Sequence, residues 1–224
     1  MKKPSAVLAA VIVLSGLIQA QQRPTPEQVL QNPKLEVVLQ DFPAEGLILD
    51  IGGGGEGVIE QLKGKQTVAV DLSKRELDEA PGDPLLKIVM DARDLKFVDK
   101  SFATATVFFT FMYIDPSDHE KVLQEINRVL KPGGRLLIWD AVFPKQTDGR
   151  QLYVHFPLHV KLPKSEVNTG YGVRLHEGQN ADHFVDLAKK AGFHVVSRKD
   201  DRGWFMIEFQ KPATAPAAAP APAA

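Results

Sequence analysis

The chain of 224 residues contains no cysteine. That excludes disulfide scaffolds, iron–sulfur clusters, thiolate zinc sites and cysteine nucleophiles, and it leaves the redox compartment open. Net charge is nearly absent too: 27 Lys and Arg stand against 28 Asp and Glu. A near-neutral surface lacks the electrostatic footprint of a general nucleic-acid binder, so no nucleic acid is expected as a partner. No apolar run reaches the roughly 20 residues that a bilayer span needs. The run from Ala6 to Ile18 follows Met1-Lys-Lys-Pro and precedes Gln19-Ala20-Gln21. A basic start, a short apolar core and a small residue read as a secretory signal peptide over 1–20, cut after Ala20. The mature protein is therefore expected to be exported, periplasmic or secreted, with no stable membrane span. A membrane anchor or a cytoplasmic location are the alternatives. Residues 213–224 hold only Ala, Pro and Thr and are expected to form a disordered tail. What lies between suits one globular domain, with an overall apolar fraction of 44% and charged fraction of 25%.

Residues 21–46 read as a helical lead-in. Thr25-Pro26-Glu27 has the form of a helix start, and the helix is expected to run to about Gln40 with a break at Asn32-Pro33. From 47 to 212 strand and helix alternate. Strands are predicted at Leu47 to Ile51, Thr67 to Asp71, Leu86 to Met90, Ala105 to Ile114 and Arg135 to Trp139. Ser73 with Glu76, and Ser117 with Glu120, each form a capping box ahead of a helix. Residues 142–179 form a largely irregular insert. A helix over Ala181 to Ala191 and two strands around Asp200-Asp-Arg-Gly203 close the domain. Near-continuous apolar strands imply a parallel sheet covered on both faces. The fold class is α/β: a Rossmann-like, doubly wound sheet of seven strands, mostly parallel, with an antiparallel C-terminal strand.

In such a sheet ligands bind beyond the carboxyl ends of the strands, where strand order reverses. Asp50-Ile-Gly-Gly-Gly-Gly-Glu-Gly57 stands at that position. Glycines let the backbone turn sharply and let a ligand approach without Cβ contact. Asp71 ends the next strand, where a carboxylate can accept from both ribose hydroxyls of an adenosine cofactor. Gly52, Gly54 and Gly57 also satisfy G-x-G-x-x-G, so a dinucleotide remains open on these residues alone.

Three further segments carry a resemblance. Val89-Met-Asp91-Ala-Arg-Asp resembles the segment that methyltransferases use to hold adenine. Asn127-Arg-Val-Leu-Lys-Pro-Gly-Gly134 resembles their signature before the fifth strand. Gly192-Phe193 and the strands after it resemble their closing hairpin. Together, in this order, they identify residues 47 to 212 as similar to the class I S-adenosylmethionine-dependent methyltransferases. The resemblance implies S-adenosyl-L-methionine as cofactor and methyl transfer to a small-molecule acceptor as the activity. It implies that Asp50, Gly52, Gly53 and Gly54 lie under the methionine end, that Asp71 binds the ribose diol and that Leu72 packs on adenine. Asp91 and the Ala92 amide would read the adenine edge, and Thr110 and Phe111 would border the sulfonium. The family's loop usually reads D-x-G-x-G-x-G, so Glu56 replaces its third glycine. That acid is expected either to cap the helix or to pair with the cofactor's ammonium.

The insert supplies Tyr153, His155, His159 and His176 as candidate general bases. The text Tyr-Val-His-Phe-Pro-Leu-His-Val alternates like a strand, which puts His155 and His159 on one face. Two histidines without a third ligand fall short of a metal site, and no metal is expected. Asp115 is read as an ordinary turn residue before a helix. The competing functions are a non-catalytic S-adenosylmethionine-binding protein and an NAD(P)-dependent oxidoreductase. The latter predicts a Tyr-x-x-x-Lys pair, and Tyr113, Tyr153 and Tyr171 have no lysine four residues on.

Overall fold

The computed structural model describes residues 24–145, 149–175 and 178–213. The segment 1–20 expected to be a signal peptide, His176 and nearly all of the Ala/Pro tail lie outside them. In chain order the elements are β1 (Val29–Gln31), β2 (Leu35–Val38), β3 (Ile48–Ile51), α1 (Val58–Lys63), β4 (Thr67–Asp71), α2 (Lys74–Glu79), β5 (Leu86–Val89), β6 (Phe102–Phe108), α3 (His119–Val129), β7 (Leu130–Ala141), β8 (Tyr153–Lys161), β9 (Glu166–Arg174), α4 (Ala181–Lys190), β10 (His194–Asp201) and β11 (Trp204–Gln210).

A seven-stranded sheet runs β10-β11-β7-β6-β3-β4-β5. Its strands are parallel except β11, which is antiparallel to both neighbours. Strand order reverses between β3 and β6, so the loop after β3 sits at the switch point where ligands bind. Every residue of β3 is buried, as are Thr67 to Val70 of β4. Apolar side chains alternate onto two covered faces there, hence the unbroken apolar text. On one face α3 buries Val122, Leu123, Ile126 and Val129, and α4 adds Phe184 and Ala188 to the same core.

A second sheet joins the N-terminal segment to the insert between β7 and α4. β1 and β2 pair in parallel with β8, and β9 pairs antiparallel with it. This corrects two expectations. The lead-in is not a helix: only a single 3-10 turn, Pro26–Gln28, precedes strands. Pro33 lacks the N–H a continuing helix needs, and Leu35-Glu-Val-Val38 alternates buried and exposed with period two. The insert is not irregular either, since its centre is the β8–β9 hairpin. Val154, Phe156, Leu158 and Val160 form that sheet's apolar face and share a core with Leu35, Val37, Leu137 and Trp139. The second sheet therefore caps the main one.

Two local readings also change. The fourth predicted strand begins earlier and ends at Phe108, because Phe109 takes a left-handed φ of 51° and a 3-10 turn over Phe111–Tyr113 follows. Ser117 caps nothing: its N–H donates to Asp115 Oδ1 at 2.9 Å, and α3 begins two residues later. Ser73, by contrast, accepts from the Glu76 N–H at 3.2 Å as its capping box predicts.

Candidate functional site

The glycine loop is pressed against its surroundings so closely that side chains have no place. Gly52 has φ 74°, and a Cβ there would lie 2.3 Å from Thr110 Oγ1. That hydroxyl donates to the Ile51 carbonyl at 3.2 Å, so Thr110 closes the end of β3 onto the end of β6. A Cβ on Gly54 would lie 2.8 Å from Asp71 Oδ2 and 2.7 Å from Glu76 Cβ. Gly52 and Gly53 donate to the Val70 carbonyl at 2.8 and 3.1 Å, which ties the loop to β4. Asp71 accepts from the Ser73 N–H at 2.7 Å. Burial raises its carboxyl above the usual range in spite of the backbone donors from Ser73 and Gly54.

Beneath the loop lies an acid pair that the sequence reading did not pick out. Asp50 is 3% exposed and Glu60 only 1%. Glu60 Oε1 and Asp50 Oδ2 lie 2.8 and 3.0 Å from the point where a Gly53 Cβ would stand. Thr106 donates its hydroxyl to the other Asp50 oxygen. Burial pushes both carboxyls upward, Asp50 strongly; the Glu60 charge adds to this at Asp50, whereas at Glu60 its own backbone N–H, Asp50 and Lys87 pull the other way. The one hint in the sequence is a glutamate on the first turn of a helix that is otherwise apolar on its inner side.

Leu72, after β4, is 65% exposed. Asp91 is held by Arg93, whose Nη2 donates to Oδ2 at 2.7 Å and whose Nη1 reaches Asp118 at 2.8 Å. The guanidinium keeps the Asp91 carboxyl below its ordinary range, hence charged, and a carboxylate engaged this way keeps acceptor capacity for a further donor.

Glu56 neither caps α1, whose N-cap is Gly57 without a side-chain bond, nor stands free. Its two oxygens accept from Thr169 Oγ1 and from Tyr171 Oη, the latter at 2.8 Å. Both donors come from β9, so the cap is clipped to the glycine loop. Tyr171 stacks on Phe109 at 6.0 Å and meets Tyr113 edge-on at 6.2 Å. Phe111 is not among them: it is fully buried against Phe184 and His119, which corrects its expected place beside the sulfonium. The backward turn at Phe109 explains this, since it swings the next ring into the core and leaves Thr110 facing Gly52.

Of the insert's candidate bases, the three described ones, Tyr153, His155 and His159, do not reach the loop. Tyr153, His155 and His159 share the face of β8 opposite Val154, Phe156, Leu158 and Val160. His155 contacts Gln31 Oε1 at 3.0 Å, and His159 lies between Glu36 and Glu166 at 2.6 and 3.2 Å. These are cross-strand pairs on the outer face of the cap. At the end of β7, Asp140 is fully buried; Gln179 Nε2 donates to its Oδ1 at 2.8 Å and its Oδ2 has no partner. Among the described residues no helix is long and apolar enough to cross a membrane.

The model of the methyltransferase domain matches residues 49–138, from β3 into β7. The demethylmenaquinone methyltransferase of Mycobacterium sp. (strain KMS) is 31% identical over 172 residues, 73% of this chain and 69% of that one. The ubiquinone/menaquinone biosynthesis C-methyltransferase UbiE of Desulfotalea psychrophila is 34% identical over 173 residues, covering 70% and 69%. The demethylmenaquinone methyltransferase of Thermotoga maritima is 36% identical over 118 residues, and there the chain spans only about half the relative's length, 49%. A SAM-dependent methyltransferase of Methanosarcina mazei superposes with a TM-score of 0.54 at 19% identity, covering 77% of this chain and 95% of that one. The [4+2]-cyclase SpnF does so with 0.52 at 18%, covering 76% of each. Those two likenesses concern the fold alone. With the Mycobacterium and Desulfotalea relatives more than 30% identical over more than two thirds of their length, the switch-point glycine loop and the strand order, the chain belongs to the class I S-adenosylmethionine-dependent methyltransferase family.

Proposed function

We propose that the protein transfers a methyl group from S-adenosylmethionine to a small-molecule acceptor. One observation carries the reading beyond the fold. Asp50, Glu56, Glu60 and Asp71 surround the loop, and among the described residues no Lys or Arg bonds to any of them. A dinucleotide pyrophosphate would meet these carboxylates as a like charge. A ligand with an ammonium and a sulfonium meets them as an opposite one.

The residues fit such a ligand. Glycines 52 to 54 pack against Thr110, Asp50, Glu60 and Asp71 so closely that only glycine keeps the loop in this place. Asp71 is placed to take the ribose diol, Leu72 offers an exposed apolar face to adenine, and Asp91 with the Ala92 amide flanks the same end. Asp50 lies at the methionine end. S-adenosylmethionine, when bound, supplies an already activated methyl group, so the protein's task is proximity, orientation and exclusion of water. The cap serves the last of these, with Phe109, Tyr113 and Tyr171 lining the side toward the acceptor. Aromatic side chains there suit a planar apolar acceptor, in keeping with relatives whose names refer to quinones.

Calorimetric titration with S-adenosylmethionine, S-adenosylhomocysteine and NADPH tests this. Binding of the first two and none of the third is expected. Binding of NADPH with no response to S-adenosylhomocysteine would refute it.

A further inference from the structure

Glu60 is a buried glutamate with no donor of its own. It is 1% exposed, and neither of its oxygens has a hydrogen-bond partner among the described residues; only its own backbone N–H lies near enough to act on the carboxyl as a donor. An ionised carboxylate left this way is strongly disfavoured, because burial removes the water that would solvate its charge and nothing replaces it. Its neighbour is another acid. Two carboxylates offer acceptors only, so the Glu60–Asp50 contact becomes a hydrogen bond only when a proton lies between them. Thr106 spends its hydroxyl on the outer Asp50 oxygen and so leaves the inner one facing Glu60 and Gly53.

Other charges do not supply the missing partner. Asp71, on β4, adds repulsion to Asp50. Lys87, on β5, acts on Glu60 only through space, because its ammonium donates to the Leu77 and Ala80 carbonyls at 2.7 Å each. Glu76, on α2, is engaged by Arg75 at 2.6 Å. Thr106 on β6 and Ala69 on β4 complete the surroundings and carry no charge.

We propose that Asp50 and Glu60 hold one proton between them beneath Gly53 and give it up to solvent when the ammonium at the methionine end of the cofactor seats on the loop. Glu60 thereby ties cofactor affinity to pH. The exchange balances: the protonated pair and the ligand's ammonium go to an anionic pair facing that ammonium, with one proton released to the buffer. The inference rests on the S-adenosylmethionine reading and concerns a residue that does not touch the acceptor.

The test uses S-adenosylhomocysteine, which keeps the ammonium, and 5′-methylthioadenosine, which lacks the amino-acid portion. Titration at one pH in buffers of different ionisation enthalpy counts released protons. Wild type should release about one proton with S-adenosylhomocysteine and none with 5′-methylthioadenosine. Affinity for the former should rise about tenfold per pH unit below the pair's midpoint. Glu60→Gln, whose amide can donate to Asp50, should bind without proton release and with a flat pH dependence. A carboxyl 13C titration of the free protein should show the shared proton as a second, late step that Glu60→Gln removes. Wild-type binding without proton release, or proton release that survives in Glu60→Gln, overturns the inference while leaving the cofactor reading intact. Failure of S-adenosylhomocysteine to bind at any pH overturns both.

Discussion

The phenol of Tyr171 donates to Glu56 at 2.8 Å across 115 positions of sequence. With Thr169 on the other oxygen, one carboxylate joins the middle of β9 to the glycine loop. Burial and the Glu56 charge push the Tyr171 phenol well above the usual tyrosine range, so at neutral pH Tyr171 is a donor and not a base. The departure from the family's glycine pattern thus has a structural use: a glycine at 56 would leave both cap hydroxyls without their acceptor.

Breaking this clip should loosen the cap and spare the core. A hydrogen bond to a charged group contributes about 1.5–3 kcal/mol. Glu56→Gly and Tyr171→Phe should each speed amide exchange in β9 by about tenfold or more, while α3 amides keep their protection. The double variant should lose less than the sum of the singles, since both remove one bond. Strictly additive losses, or unchanged exchange in β9, would show that the cap is held by its apolar face alone.

Gly52→Ala should damage the loop directly. A left-handed φ costs an L-residue about 1–2 kcal/mol, and the new methyl would meet Thr110 Oγ1 at 2.3 Å and Cγ2 at 2.4 Å. Thermal stability and S-adenosylhomocysteine binding should both fall. Adding Thr110→Ala removes those two atoms and should restore part of the stability, whereas the backbone strain stays. No recovery in the double variant would mean that φ, together with the 2.8 Å approach to the Cβ of residue 110 that remains, sets the cost.

The central domain was legible because its signals are local. Ser73 and Glu76 cap α2 through neighbouring backbone, and the apolar stripe of α3 repeats within one helix. The cap was not legible for the opposite reason. β2 is a strand because β8, more than a hundred residues later, offers it a parallel edge, and a four-residue alternation cannot announce such a partner. His155 and His159 do share a face as alternation suggests, yet alternation does not say which face meets the loop. Glu60 escaped notice because an acid on a short helix reads as solvated, and only the approach of Gly53 and Asp50 reveals its burial. Phe111 was misplaced by one left-handed residue, Phe109, at a position where a bulky side chain rarely adopts that φ.

Asp71→Asn should separate charge from shape. The amide oxygen can still accept from the Ser73 N–H, so the turn after β4 should hold. The bond to a ribose hydroxyl loses its charge, worth about 1.5–3 kcal/mol per charged hydrogen bond. S-adenosylhomocysteine affinity should therefore fall by about tenfold to a hundredfold with little change in melting temperature. Unchanged affinity in a folded variant would remove Asp71 from the cofactor site.

Asp140 should make the fold weaker as pH rises. It is fully buried, its Oδ1 accepts from the Ala141 N–H and Gln179, and its Oδ2 has no partner. Burial pushes its carboxyl up to about 7, against roughly 3.9 in an unfolded chain. Between these values the folded state keeps a proton that the unfolded state has lost. The resulting stability is whole below about pH 4 and is lost as pH climbs toward 7, with a full span on the order of 4 kcal/mol. Asp50 and Glu60 act in the same direction, while salt-bridged acids such as Asp91 and Glu125 act against it, so wild type alone is not diagnostic. Asp140→Asn keeps an oxygen for Ala141 and Gln179 and abolishes the ionisation. Denaturant melts from pH 5 to 8 should show wild type losing stability relative to Asp140→Asn as pH rises. Parallel curves for the two proteins would show that Asp140 is ionised in the folded state throughout and that its buried charge is compensated elsewhere.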